Sequence, residues 1–349
     1  MNKLTENQHV SLESMRGIAA ITVALAHAVQ FYIVRFYPDA FIYITFAAQS
    51  SVMVFFSMSG FLIGKSIQSN TEKNGVFKLS IYAESRFKRI YPPLILSILL
   101  VVIFSFIAPH VFDAFNALFS SEGKGTLGSK FNFQPAQILS ILTFTNGILT
   151  PAIPFNQPLW SLPLEVWYYA IAGLLFTKKP LSILCAVVIF LCISSFKFGF
   201  LMYSLVWFSG LLASYAPPAK GFSKGLVMSI VVVLASLSIY FGFLFADKRI
   251  TLEYYNASFG VFFTAFMYVF LVLYNKRMSL LNNTSKYSYT LYITHYPIFY
   301  FILGMFEVLV VDSLWVSLLV GVASLSFVLA FSFYISKIFE NKRCIDVIM

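Results

Sequence analysis

Stretches of about 20 predominantly apolar residues follow one another along most of this chain, and few folds accept that pattern. A helix needs roughly 20 such residues to cross ~30 Å of hydrocarbon, where every backbone polar group must be satisfied internally. The stretches fall near residues 14–34, 45–66, 91–112, 158–176, 180–197, 198–215, 223–246, 256–274, 285–306 and 313–337. They predict an all-α, polytopic membrane protein of about ten transmembrane helices, with 1–349 as a single membrane domain. Of the 349 residues, 59% are hydrophobic and 11% charged. Soluble domains carry about 25% charged residues, so a water-soluble fold is excluded. Residues 113–157 read as a long loop, and "AQILSILTFTNGIL" within it as a short buried or re-entrant helix. "AHA" at 26–28 has the small-x-small form of a signal-peptide cleavage site. Glu6 and Glu13 in the preceding region, and an apolar run that continues through "VQFYIV", favour a retained helix.

Lysine and arginine set the orientation. With the N-terminus in the cytoplasm, one side collects Lys65, Lys73, Lys78, Arg86, Lys88 and Arg89 after the second helix. Later loops and the tail bring that side to 18 of the 24 basic residues. Arg35, Lys124, Lys130, Lys197, Lys248 and Arg249 fall on the other side. That bias predicts an even number of spans with both termini cytoplasmic. It also accounts for the net charge of +10 without a nucleic-acid partner. Cys185, Cys192 and Cys344 have neither disulfide nor metal spacing and read as packing or incidental residues.

Ionisable groups in the hydrocarbon region cost at least ~2.5–3.5 kcal/mol each by insertion scales, so each needs a reason. In "SMRGIAAITVALAHAVQFY", Arg16 and His27 stand eleven residues apart. Eleven residues of helix turn through about 1,100°, within roughly 20° of three full turns, and rise about 16 Å. The two side chains therefore share a face, with the small Ala20 and Val23 between them. Arg16 can snorkel at the cytoplasmic end, whereas His27 lies past the midplane. A lone membrane histidine is as readily a packed core residue; the arginine at that spacing favours function. In "QPLWSLPLEVWYY", Ser161 and Glu165 are one helical turn apart. If that helix enters from outside, Glu165 lies about 10 Å deep, and its carboxyl must be paired or protonated. In "SKYSYTLYITHYPIFY", Ser288, Tyr292 and His295 recur on one face, with interhelical hydrogen bonding as the plain alternative. "FFSMSGFLIGKS" carries Ser57 and Ser59 beside Gly60 and Gly64, whose spacing predicts close helix packing rather than catalysis. The loop "SRFKRIYPP" presents Arg86 and Arg89 ahead of the third helix. Such a basic run serves topology or anionic lipid, and its guanidinium forks also suit phosphate.

Together these stretches resemble the acyltransferase type 3 family of polytopic membrane acyltransferases, along essentially the whole chain. The family's Arg-x10-His motif is matched by Arg16 and His27, and its FFxxSGFL stretch by "FFSMSGFL". Its basic loop before Tyr-Pro is matched by "RFKRIYP", and its LWSLxxExxFY stretch by "LWSLPLEVWYY". Its late Ser…Tyr…His-x-Pro stretch is matched by "SYTLYITHYPI". Each match is modest alone; together, in the right order, they are specific. The resemblance implies an O-acyltransferase that moves an acyl group, most often acetyl, from cytoplasmic acyl-CoA to a hydroxyl of a glycan, polysaccharide or glycolipid. It implies acyl-CoA as donor substrate, no permanently bound cofactor and no metal, and a multi-pass place in a bacterial inner membrane. Some family members carry an added extracytoplasmic esterase-like domain. This chain ends about 12 residues after its last apolar stretch, so none is expected. The implied site has His27, Glu165 and Arg16 as catalytic residues. Arg86, Arg89 and Arg16 would hold the CoA phosphates, and Trp160, Ser161, Tyr292 and His295 would bind substrate.

The residue chemistry agrees. Acyl transfer to a hydroxyl needs a base near neutral pH, as histidine supplies, and polar groups for a tetrahedral oxyanion. Glu165 would orient or charge-tune His27 by triad-like logic. Whether His27 acts as base or as transient acyl carrier stays open. A transporter or flippase would also place His, Glu and Arg in the membrane, but it favours internal repeats, and no matching halves are present. His27 and His295 as haem ligands are a weaker alternative.

Overall fold

The computed structural model describes residues 4–112, 135–220 and 222–340. Its elements are helical, and the described residues form no β-strand beyond an isolated bridge between Asn146 and Thr150. The helices are α1 (Glu6–Tyr32), α2 (Phe41–Asn74), α3 (Leu79–Val111), α4 (Pro135–Leu142) and α5 (Ser161–Phe176). They continue as α6 (Pro180–Phe196), α7 (Phe198–Ala213), α8 (Phe222–Ala246), α9 (Leu252–Met267), α10 (Ser288–Met305), α11 (Glu307–Val311) and α12 (Leu314–Phe339).

Among the described residues, seven segments are long and apolar enough to cross a membrane. They are Glu6–Tyr32, Pro38–Asn74, Leu79–Val111, Phe155–Phe176, Ser223–Ala246, Leu252–Leu273 and Leu314–Phe339. The protein is an integral membrane protein. α6 and α7, with 17 and 16 residues, are shorter apolar helices divided at Lys197, whose backbone is extended. α10 has 18 residues and is buried along nearly its whole length. That burial accounts for its polarity, since its side chains meet protein rather than lipid. The expected short helix after residue 135 is present as α4, eight residues long.

Two helices begin well before their apolar stretches. α3 starts at Leu79 and runs through Pro92 and Pro93, so Arg86 and Arg89 sit on a helix rather than in the expected loop. Each proline removes a backbone donor and frees the carbonyl four residues back, at Lys88 and Arg89. Arg89 is exposed and Lys88 half-buried there. α1 starts at Glu6 because its first turns carry a polar face with partners. Gln8 Nε2 donates to the Leu271 carbonyl (2.9 Å), Ser11 Oγ to Lys276 (2.9 Å) and Ser14 Oγ to Met278 (2.6 Å). Leu271 lies in the π-helical turn Tyr268–Leu273 that continues α9.

The chain divides into two compact units. One comprises Met1–Ala19, Gln49–Arg86 and Leu164–Ser285. There α9 packs on α7 and α8, and α6 packs on α7. Leu12, Met15, Met58, Phe61, Met267 and Leu271 form a buried apolar cluster. A Cβ on Gly60 would collide with the Trp207 carbonyl, and one on Gly210 with the Ser57 carbonyl. The two glycines thus let α2 and α7 touch backbone to backbone, and Gly64 meets Ser214 one turn on. The small-xxx-small reading of "FFSMSGFLIGKS" holds.

The other unit comprises Ala20–Ala48, Phe87–Pro163 and Lys286–Met349. In it α10 packs on α12 and on the 3-10 segment Pro154–Trp160, and α11 packs on α12. Pro297 inside α10 cannot donate to the Ile293 carbonyl. Two buried side chains replace that bond: Ser97 Oγ at 3.0 Å and Asn156 Nδ2 at 2.9 Å. Asn156 also donates to Ser97 Oγ (2.8 Å).

Candidate active site

α1 and α10 bring two histidines together in the second unit. The His27 and His295 ring centroids lie 5.2 Å apart at 33°. Tyr296 meets His27 edge-on at 5.1 Å, and Phe31 packs on Tyr296 at 4.9 Å. His295 is fully buried and His27 half-buried. Each imidazole has its Nδ1 tied. His27 Nδ1–H donates to Gln30 Oε1 at 2.9 Å, and His295 Nδ1–H donates to the Leu291 carbonyl at 2.8 Å. Among the described residues no hydrogen bond reaches His295 Nε2, nor the buried Tyr296 hydroxyl. In the neutral form these bonds fix the Nδ1–H tautomer on each ring and leave the lone pair on Nε2.

Four further residues singled out in the sequence lie in this unit. Ser161 Oγ and Tyr292 Oη are 2.7 Å apart, and Tyr292 also donates to the Pro158 carbonyl at 3.0 Å. Both side chains are buried. They join the start of α5 to α10, the same helix that carries His295. Trp160, the last residue of the 3-10 segment, is half-buried. Arg89 is exposed on α3.

The first unit holds the other three. Glu165 accepts hydrogen bonds from the hydroxyls of Ser59 and Tyr169. Ser59 Oγ also lies 2.9 Å from the Tyr169 hydroxyl and accepts the Trp207 indole N–H at 3.2 Å. These bonds answer the question of how a carboxylate sits on a membrane helix. Arg86 is half-buried, with its guanidinium over the Tyr82 ring at 5.9 Å and NH2 on Ser85 Oγ at 3.1 Å. Tyr82 is itself anchored by donating to the Tyr169 carbonyl (3.1 Å). Arg16 is half-buried on α1, the unbroken helix that also carries His27.

Gln30, Asn156, Ser97 and Ser59 were not anticipated in these roles. Gln30 follows His27 by three residues, which a helical pattern makes a neighbour, so its signal was present. The partners of Asn156, Ser97 and Ser59 lie 59 to 196 residues away, beyond any local pattern. Cys185 and Cys192 are free and exposed on α6; Cys344 lies outside the described residues. No group of three or more His, Cys, Asp or Glu able to hold a metal occurs among the described residues.

Residues 9–337 match the family model described as an acyltransferase domain, of type 3. Comparison with curated proteins and with solved structures gave no match.

Proposed function

The chain belongs to the acyltransferase type 3 family, and from that premise we propose that this membrane acyltransferase moves an acetyl group from cytoplasmic acetyl-CoA to a hydroxyl of a glycan, polysaccharide or glycolipid. The observation that carries the reading is the His27 imidazole, tied through Nδ1 to Gln30 and packed beside His295. Base catalysis needs such a ring: neutral, oriented, with one nitrogen left open. In the step, the acceptor oxygen bonds to the thioester carbon while His27 Nε2 takes its proton. The oxyanion collapses, the C–S bond breaks, and the proton passes from Nε2 to the CoA sulfur. Trp160, Ser161, Tyr292 and His295 are assigned to the acceptor, and Glu165 to the charge balance of the reaction.

In this reading α6, α7 and α10 join the seven to make ten spans, with both termini cytoplasmic and a bacterial inner membrane as the location. The basic bias of the loops supports that orientation. Arg16, Arg86 and Arg89 are assigned to the polyanionic CoA. Arg86→Ala and Arg89→Ala are expected to raise the KM for acetyl-CoA, more so at higher salt. They should leave the acceptor KM little changed. Arg→Lys should recover only part of the affinity, because the planar fork is lost. Steady-state titration of each substrate checks this, and an unchanged donor KM in both variants would remove the pair from CoA binding.

Sealed vesicles of known orientation test the whole reading. With acetyl-CoA supplied only to the cytoplasmic face and the glycan acceptor only to the opposite face, acetylated product is expected. Product formed solely when both reagents share the cytoplasmic face would reject transfer across the bilayer. No product under either arrangement, with extracted envelope glycans as acceptor, would reject the reaction class.

A further inference from the structure

The geometry points to Gln30 as the positioning residue of His27. The inference rests on the acyltransfer reading and names the group that decides which imidazole nitrogen reacts. In triad arrangements a carboxylate usually accepts the Nδ1–H of the base and fixes its tautomer. Here the acceptor is a neutral amide: Gln30 Oε1, 2.9 Å from His27 Nδ1, one turn along the same helix. Both residues are half-buried. The orienting role read from the sequence for Glu165 is thus filled within α1 itself.

Two consequences follow from this bond. An Nδ1–H donor leaves Nε2 as the lone pair, so proton uptake from the acceptor hydroxyl occurs at Nε2. When Nε2 gains that proton the ring becomes an imidazolium, and the existing Nδ1–H···O bond becomes charge-assisted and stronger. Gln30 therefore stabilises the state in which His27 carries the proton more than the resting state, which is the condition for lowering a barrier rather than tightening binding. A neutral amide does so without placing a second charge next to an imidazole that packs on the buried His295 and Tyr296 rings. His295 has the same construction from a different source, its Nδ1 held by the Leu291 carbonyl. A main-chain carbonyl cannot be removed by substitution, so Gln30 is the member of the pair open to test.

The experiment compares wild type, Gln30→Leu and Gln30→Glu in detergent, with acetyl-CoA as donor and a long-chain alkyl glucoside as hydroxyl acceptor. Release of the CoA thiol is followed. In parallel, 15N NMR of histidine-labelled protein reads the tautomer, with the His27 signal identified by its loss in His27→Ala. Gln30→Leu is expected to lower kcat by about 10–100-fold, as losing the partner that orients a metal-bound histidine does, with both KM values near wild type. Its His27 signal is expected to move from the Nδ1–H to the Nε2–H form. Gln30→Glu keeps the acceptor oxygen, and should keep the Nδ1–H form and most of the turnover. An unchanged tautomer in Gln30→Leu would overturn the inference whatever the rates do, as would an Nε2–H form in wild type. Wild type that shows the Nδ1–H form yet releases no CoA with any hydroxyl acceptor would instead count against the acyltransfer reading.

Discussion

His27→Ala is expected to reduce acyl transfer by roughly 10²–10⁴-fold, the usual contribution of a positioned acid–base group. The imidazole is oriented by a side-chain bond from Nδ1 to Gln30, and alanine removes the reacting atom outright. Folding should survive. His27 is only half-buried, and its hydrogen-bond partner Gln30 sits on the same helix, so no distant polar group is orphaned. Thermal unfolding of the purified variant should therefore stay near wild type while CoA release collapses. Activity above about a tenth of wild type would exclude His27 as the base. His295→Ala makes a different pair of changes. Its ring is fully buried, so the variant opens a cavity and should lose stability as well as turnover. A kinetic defect confined to His27→Ala would make His295 a packing residue.

The membrane fold was legible because apolar length is a direct consequence of bilayer thickness. Lys197 divides two short helices where the sequence showed a nearly continuous apolar run, and α5 and α8 begin and end within a few residues of the expected positions. The starts of α1 and α3 were not legible, because hydropathy says nothing about a helix that continues in water. Pro92 and Pro93 look like a helix start and instead lie inside α3. Of the site, His27 and His295 could be read from depth and motif, and the structure sets their rings 5.2 Å apart. Glu165 could be read as a buried carboxylate needing a partner. Its partners could not: Ser59 lies 106 residues away, in a stretch whose adjacent glycines favoured a packing role for all of it. In this fold one segment does both. Gly60 gives α2 its contact with α7, and the preceding Ser59 turns its hydroxyl to Glu165.

Gly60→Leu is accordingly expected to abolish accumulation of folded protein, and Gly60→Ala to lower both stability and activity. A Cβ at Gly60 meets the Trp207 carbonyl, which is main chain and cannot swing away as a side chain would. α2 and α7 must separate, at a typical overpacking cost of about 1–3 kcal/mol for small additions. For Gly60→Ala that corresponds to a fall in thermal midpoint on the order of 5 °C. Gly210→Ala should do the same from the opposite helix, since its Cβ meets the Ser57 carbonyl. The two substitutions perturb one contact, so their effects should combine less than additively. The activity loss has its own route. Trp207 donates its indole N–H to Ser59 at 3.2 Å, and moving the α7 backbone draws that donor off the hydroxyl that holds Glu165. Gly225 supplies the control. It lies on α8 with nothing within 4 Å of a Cβ built there, so Gly225→Ala should be neutral or slightly stabilising, as alanine is favoured over glycine in a helix by up to about 1 kcal/mol. Equal thermal midpoints for Gly60→Ala, Gly210→Ala and Gly225→Ala would show that α2 and α7 do not depend on glycine for their approach. A Gly60→Ala protein that keeps wild-type turnover at a lowered midpoint would separate the helix contact from the Ser59–Glu165 pair.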